Sequence, residues 1–119
     1  WEARLTAAHH KLAHVEQKMR EASVLTPFIE IWTRSDSEFH ETLASACPSS
    51  TLRAARRNAH ERSRIHAISV LPTYGFRDRT VPEHAAILSS ALARDTERCQ
   101  AAIRAHFFAL GNVANQQNE

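Results

Sequence analysis

The stretch TPFIEIWTRSDSEFHETLASAC, residues 26–47, decides the fold. Thr26 followed by Pro27 reads as a helix start, a capping hydroxyl and then a residue whose missing N–H costs nothing in a first turn. From there Phe28, Ile31, Trp32, Phe39 and Leu43 recur at helical steps, which predicts a helix with one apolar face running to about residue 47. The same helix carries Asp36 and His40, four residues apart and therefore on one face, about a turn from each other. Their apolar neighbours Trp32, Phe39 and Leu43 draw that face inward, where a carboxylate needs an ionic partner or a metal. An ordinary aspartate–histidine pair on a helix surface satisfies the same spacing, so both readings stand at this point.

The rest of the chain repeats the helical pattern. Leu5, Ala8, Leu12, Val15, Met19 and Ala22 form a stripe that predicts a first helix over residues 3–23. Pro48-Ser49-Ser50 breaks the second helix and offers serine caps to a third, arginine-rich one over residues 51–70, which stops before Pro72. Residues 71–80 lack periodicity and read as the longest loop. Thr80 and Glu83 around Pro82 form a capping-box pattern that starts a fourth helix, reaching residue 94 with His84 in its first turn. Asp95 caps a fifth, whose stripe is Cys99, Ala102, Ile103, His106 and Leu110, with Gly111-Asn112 as the stop. The expected architecture is an all-α antiparallel bundle of five to six helices over residues 1–114, followed by a frayed polar tail over residues 115–119.

Composition agrees with this and narrows the function. The chain has 119 residues, 43% of them apolar, and only two glycines, as a single helical domain would have. A net charge of +2, with basic and acidic residues interspersed, does not by itself demand a nucleic-acid partner. Two cysteines far apart, with no signal peptide and no apolar run of membrane length, point to free thiols and a cytoplasmic setting with no membrane partner. There is no His-Glu-x-x-His, no paired Glu-x-x-His, no Cys-x-x-Cys, no phosphate-binding glycine loop and no nucleophile elbow, so the chain reads as a non-enzyme.

Eight histidines are the surplus that asks for a reason. His106 falls on an apolar stripe, where an imidazole needs a hydrogen bond or a metal. His84 stands at a helix start beside Glu83, where a surface capping role suits it equally. His9, His10 and His14 read as solvated on the first helix, and His60 and His66 lie among the arginines of the third, where Arg53, Arg57, His60 and Arg64 form a stripe of their own. On the third helix Leu52, Ala55 and Ala59 mark the expected inward stripe; its extension reaches Arg62, a candidate partner for an effector carboxylate, or else a side chain that snorkels or pairs with a glutamate. Asp36, His40, His84 and His106 would form a donor set suited to one divalent zinc, nickel, manganese, cobalt or iron ion, without choosing among them.

Two motifs carry a resemblance. Asp36-Ser-Glu-Phe39-His40-Glu-Thr-Leu43 is similar to the Asp-x-x-Phe-His-x-x-Leu of the FCD (FadR C-terminal) domain. Glu83-His84-x-x-Ile87-Leu88, followed by Ala91, Arg94-Asp95 and His106, resembles that family's second motif, with the same interval between the two histidines. FCD domains are the effector-binding and dimerisation domains of GntR-family transcriptional regulators of the FadR subfamily. The resemblance implies a helical bundle, a metal held by Asp36, His40, His84 and His106, a small organic acid completing its coordination, and a homodimer. It implies DNA contact only through a winged-helix domain, which this sequence does not include. Where members often have Gly-Asn after the second helix, this chain has Pro48-Ser49. Two other readings remain open: a small helical metalloenzyme, and a basic nucleic-acid-binding bundle using the third helix.

Overall fold

The computed structural model describes residues 1–74 and 79–115. They form an all-α fold of five helices, α1 (Glu2–Glu21), α2 (Ile29–Ala44), α3 (Ser50–Tyr74), α4 (Thr80–Leu92) and α5 (Thr96–Asn115), with a 3-10 turn at Thr26–Phe28 before α2. The chain divides into two compact units, Trp1–Arg77 and Asp78–Glu119.

In the first unit the predicted stripe of α1 is the core. Leu5, Ala8, Leu12, Val15 and Met19 are all buried, against Trp32 and Phe39 among the buried side chains of α2. Full burial of one such side chain is worth about 1.5–3 kcal/mol, which makes this face the main cohesive element of the unit. The two helices run antiparallel. The Trp1 indole at the start of α1 donates to the Thr42 carbonyl near the end of α2, at 2.9 Å, and the Trp32 indole faces the buried Glu16 carboxylate at 3.5 Å. At the surface of the same pair, Lys11 bridges to Glu38 at 2.7 Å.

Helix α3 begins as expected, with the Ser49 hydroxyl accepting from the Leu52 amide at 3.2 Å. It does not stop before Pro72. Proline's helical φ lets the helix continue with one donor missing, to Tyr74; the rest of the predicted loop, residues 75–78, lies outside the described residues. The inward face also differs from expectation. Leu52 is 64% exposed, Ala55, Ala59 and Arg62 are exposed, and the inward face runs through Arg53, Arg56, His60 and Arg64, with His60 buried and the buried Leu71 further along the helix. The reason is electrostatic. Helix α2 presents Glu41 and Asp36 to α3, and Arg56, Arg57 and His60 meet them.

The second unit is an α4–α5 hairpin. Thr80, His84, Ile87, Ser90 and Ala91 are the buried positions of α4. The expected capping box is not formed: Arg79 precedes the helix without a side-chain cap, and Glu83 turns to α5 instead. The helix ends with Arg94 at φ 58°, the left-handed position, its amide donating to Ala91 and that of Asp95 to Ser90. Asp95 then caps α5 as read from sequence, its carboxylate accepting from the Arg98 amide at 3.0 Å. Helix α5 passes Gly111, which a helix tolerates at a cost of about 1 kcal/mol, and ends at Asn115. Of the expected frayed tail, residues 116–119 lie outside the described residues.

Arg57 and Arg56 hold the Glu41 carboxyl below its ordinary value of 4.5, hydrogen bonding from Arg57 being the largest cause. A carboxylate lowered on folding adds stability that is complete above its unfolded value and fades as pH falls through the lower, folded one. With the Glu41 side chain 39% exposed, solvent screening keeps this contribution under about 1 kcal/mol. Chemical denaturation is therefore expected to show Glu41→Gln slightly less stable than the parent at neutral pH, with the gap closing below pH 4.5; a gap that persists in acid contradicts the ion-pair account.

Candidate metal centre

Each unit holds a cluster of buried donors. In the first, the α2 face that carries Trp32 and Phe39 inward also carries Asp36 and His40, at 7% and 4% exposure. Asp36 Oδ1 stands 3.6 Å from His40 Nε2, beyond a hydrogen bond, and Asp36 Oδ2 stands 3.2 Å from Nε2 of His60 on α3. The two imidazoles face each other with centroids 5.0 Å apart, and Phe39 packs edge-on against His40 at 5.3 Å. One donor atom from each of Asp36, His40 and His60 fits within a 4.8 Å span. An ion with bonds of about 2.0–2.2 Å places neighbouring donors roughly 3 Å apart and opposite ones roughly 4 Å apart, so the span suits a single ion.

In the second unit, His84 on α4 is completely buried and His106 on α5 is 4% exposed, their rings 4.6 Å apart. Glu83 Oε2 meets His106 Nδ1 at 2.9 Å. If Nδ1 carries the proton, the imidazole donates it to the carboxylate and Nε2 remains a lone-pair donor, the arrangement by which a carboxylate fixes the tautomer of a metal-binding histidine. The Glu83 side chain is only 15% exposed.

Of the residues singled out from sequence, Asp36 and His40 are thus adjacent and buried in one unit, and His84 and His106 are adjacent and buried in the other. Arg62 does not face inward: it is exposed. Two participants escaped the sequence reading. His60 was placed among the arginines of the third helix, off the expected inward stripe, because that stripe was sought among apolar residues. Glu83 was read as a cap, and nothing in the sequence ties it to a histidine 23 positions later. Of the arginines of α3 that would serve a nucleic-acid surface, Arg56 and Arg57 pair with Glu41 and Arg64 pairs with Glu61.

The sequence matches the FCD domain family over residues 2–109. It is 32% identical over 118 residues to the uncharacterized HTH-type transcriptional regulator BphR of Paraburkholderia xenovorans (strain LB400), an alignment covering 98% of this chain and 46% of that protein. The chain therefore spans about half the length of the curated relative it matches. No solved structure matches it. A match extending from α1 into α5, through both motifs that carry the buried donors, shows that the chain belongs to the FCD domain family.

Proposed function

We propose that this chain is the metal-dependent sensing domain of a bacterial GntR-family, FadR-subfamily transcriptional regulator. In this reading Asp36, His40, His84 and His106 bind one divalent ion and a small organic acid completes its coordination. FCD domain membership supports the regulatory, ligand-sensing role. The observation that carries the metal reading is that all four residues are buried, with Asp36 beside His40 and His84 beside His106. Buried carboxylates and imidazoles are costly without ionic, hydrogen-bonded or metal partners.

Three imidazoles and a carboxylate are a borderline donor set that suits zinc, nickel, manganese, cobalt or iron. The ion would act as a Lewis acid toward an effector carboxylate or hydroxyl oxygen, binding it without turning it over. Asp36 would contribute the one negative donor, and neutral imidazoles would leave the ion with residual positive charge to attract an anionic effector. DNA contact would belong to a winged-helix domain of the regulator, the setting cytoplasmic, and the assembly a homodimer. Exposed apolar side chains within the first unit, among them Leu52 and Ile65 of α3, support self-association.

Metal analysis of purified protein is expected to find one ion per chain. Asp36→Ala and His106→Ala should each lower metal affinity by more than the roughly 10–100-fold that loss of an outer partner costs. Unchanged affinity in both would remove the assignment. With metal bound, a hydroxy acid or dicarboxylate at 100 times its Kd should add about 2.7 kcal/mol of stability, read as a rise in Tm that disappears on chelation; a flat response across such acids would contradict organic-acid sensing.

Glu83→Ala leaves all four proposed ligands in place. It is expected to weaken metal binding by roughly 10–100-fold through loss of His106 orientation, and Glu83→Gln, which retains an acceptor, by less. Equal losses in the two variants would show that the charge of Glu83, not its hydrogen bond, matters. Sedimentation equilibrium tests the dimer: a monomer at tens of micromolar would exclude it for this chain.

A further inference from the structure

Helix α3 directs one buried side chain at the donor pair of α2, and that side chain is an imidazole. His60 is 7% exposed on the inward face of α3, with Nε2 3.2 Å from Asp36 Oδ2, while His40 Nε2 approaches the other carboxylate oxygen at 3.6 Å. The carboxylate is thus flanked by two imidazole nitrogens, one on each oxygen, and the three donors fall within one 4.8 Å span contained in the first unit. A hydrogen bond to Asp36 alone would account for the 3.2 Å approach. It does not account for the rest: the two rings are only 5.0 Å apart, both direct Nε2 at the same carboxylate, and both are buried with it.

We propose that His60 is itself a metal ligand, a fifth protein donor in addition to Asp36, His40, His84 and His106. The inference rests on the metal reading above and sharpens it. Four protein donors leave two positions open on a six-coordinate ion; five leave one. The organic acid then binds through a single oxygen at the remaining position, or through two oxygens by displacing His60. Because His60 lies on α3, between arginines that grip Glu41 and Glu61, a change in its coordination is transmitted to α3.

Cobalt(II) titration of the intact chain, followed by d–d absorption, tests this directly in the parent, in His60→Ala and in His60→Gln. Glutamine can still hydrogen-bond to Asp36 but offers no imidazole nitrogen, so it separates a ligand from a residue that merely orients the carboxylate, and it remains informative if the alanine variant folds poorly. Both variants are expected to lose cobalt affinity by at least about tenfold, the lower end of what even an outer partner costs. Both should show an altered d–d spectrum, and added imidazole should restore the parent spectrum in His60→Ala. A His60→Gln protein with parental affinity and spectrum overturns the proposal while leaving the four-residue site intact. A parent chain that binds no cobalt overturns the metal reading itself and this inference with it.

Discussion

A largely buried carboxylate organises the first unit. Asp36 sits on the face of α2 that also carries Trp32 and Phe39 into the core, and this location obliges the neighbouring elements to supply positive or metal-bound partners. The obligation explains an otherwise odd helix. Helix α3 turns Arg53, Arg56, His60 and Arg64 inward and leaves Leu52 and Ile65 outside, because the surface it packs on is acidic, not apolar. Cohesion comes from the α1–α2 interface; α3 adds charge complementarity and a third buried donor.

The second unit answers the same constraint with different means. His84 and His106 are paired across a hairpin whose tight connection depends on the left-handed Arg94 and the Asp95 cap. Glu83, which the sequence placed in a capping box, instead meets Nδ1 of His106. A cap at that helix start would have been worth about 1 kcal/mol; a carboxylate on Nδ1 fixes instead the orientation and tautomer of a buried imidazole.

The helices were legible because their stripes are long and their apolar residues large: Leu5 to Met19 marks α1, and Trp32 and Phe39 mark α2. The motifs drew attention to Asp36, His40, His84 and His106, all of which are buried, and of these His106 stood out by its position on an apolar stripe. The inward face of α3 was not legible. Its apolar residues are few and mostly alanine, so the rule that apolar faces turn inward had little weight there, and a tertiary demand from α2 decided instead. Helix ends past Pro72 and Gly111 were misread for a related reason: both residues weaken a helix without forbidding it. The family match covers residues 2–109, which include both motifs.

The central claim is one ion shared by ligands from both motifs. A crystal structure of the metal-loaded chain, with anomalous data collected at the absorption edge of the bound metal, tests it most directly. The account predicts a single peak bonded to Asp36, His40, His84 and His106. A peak bonded to donors from only one motif, or lying away from all four residues, would contradict it.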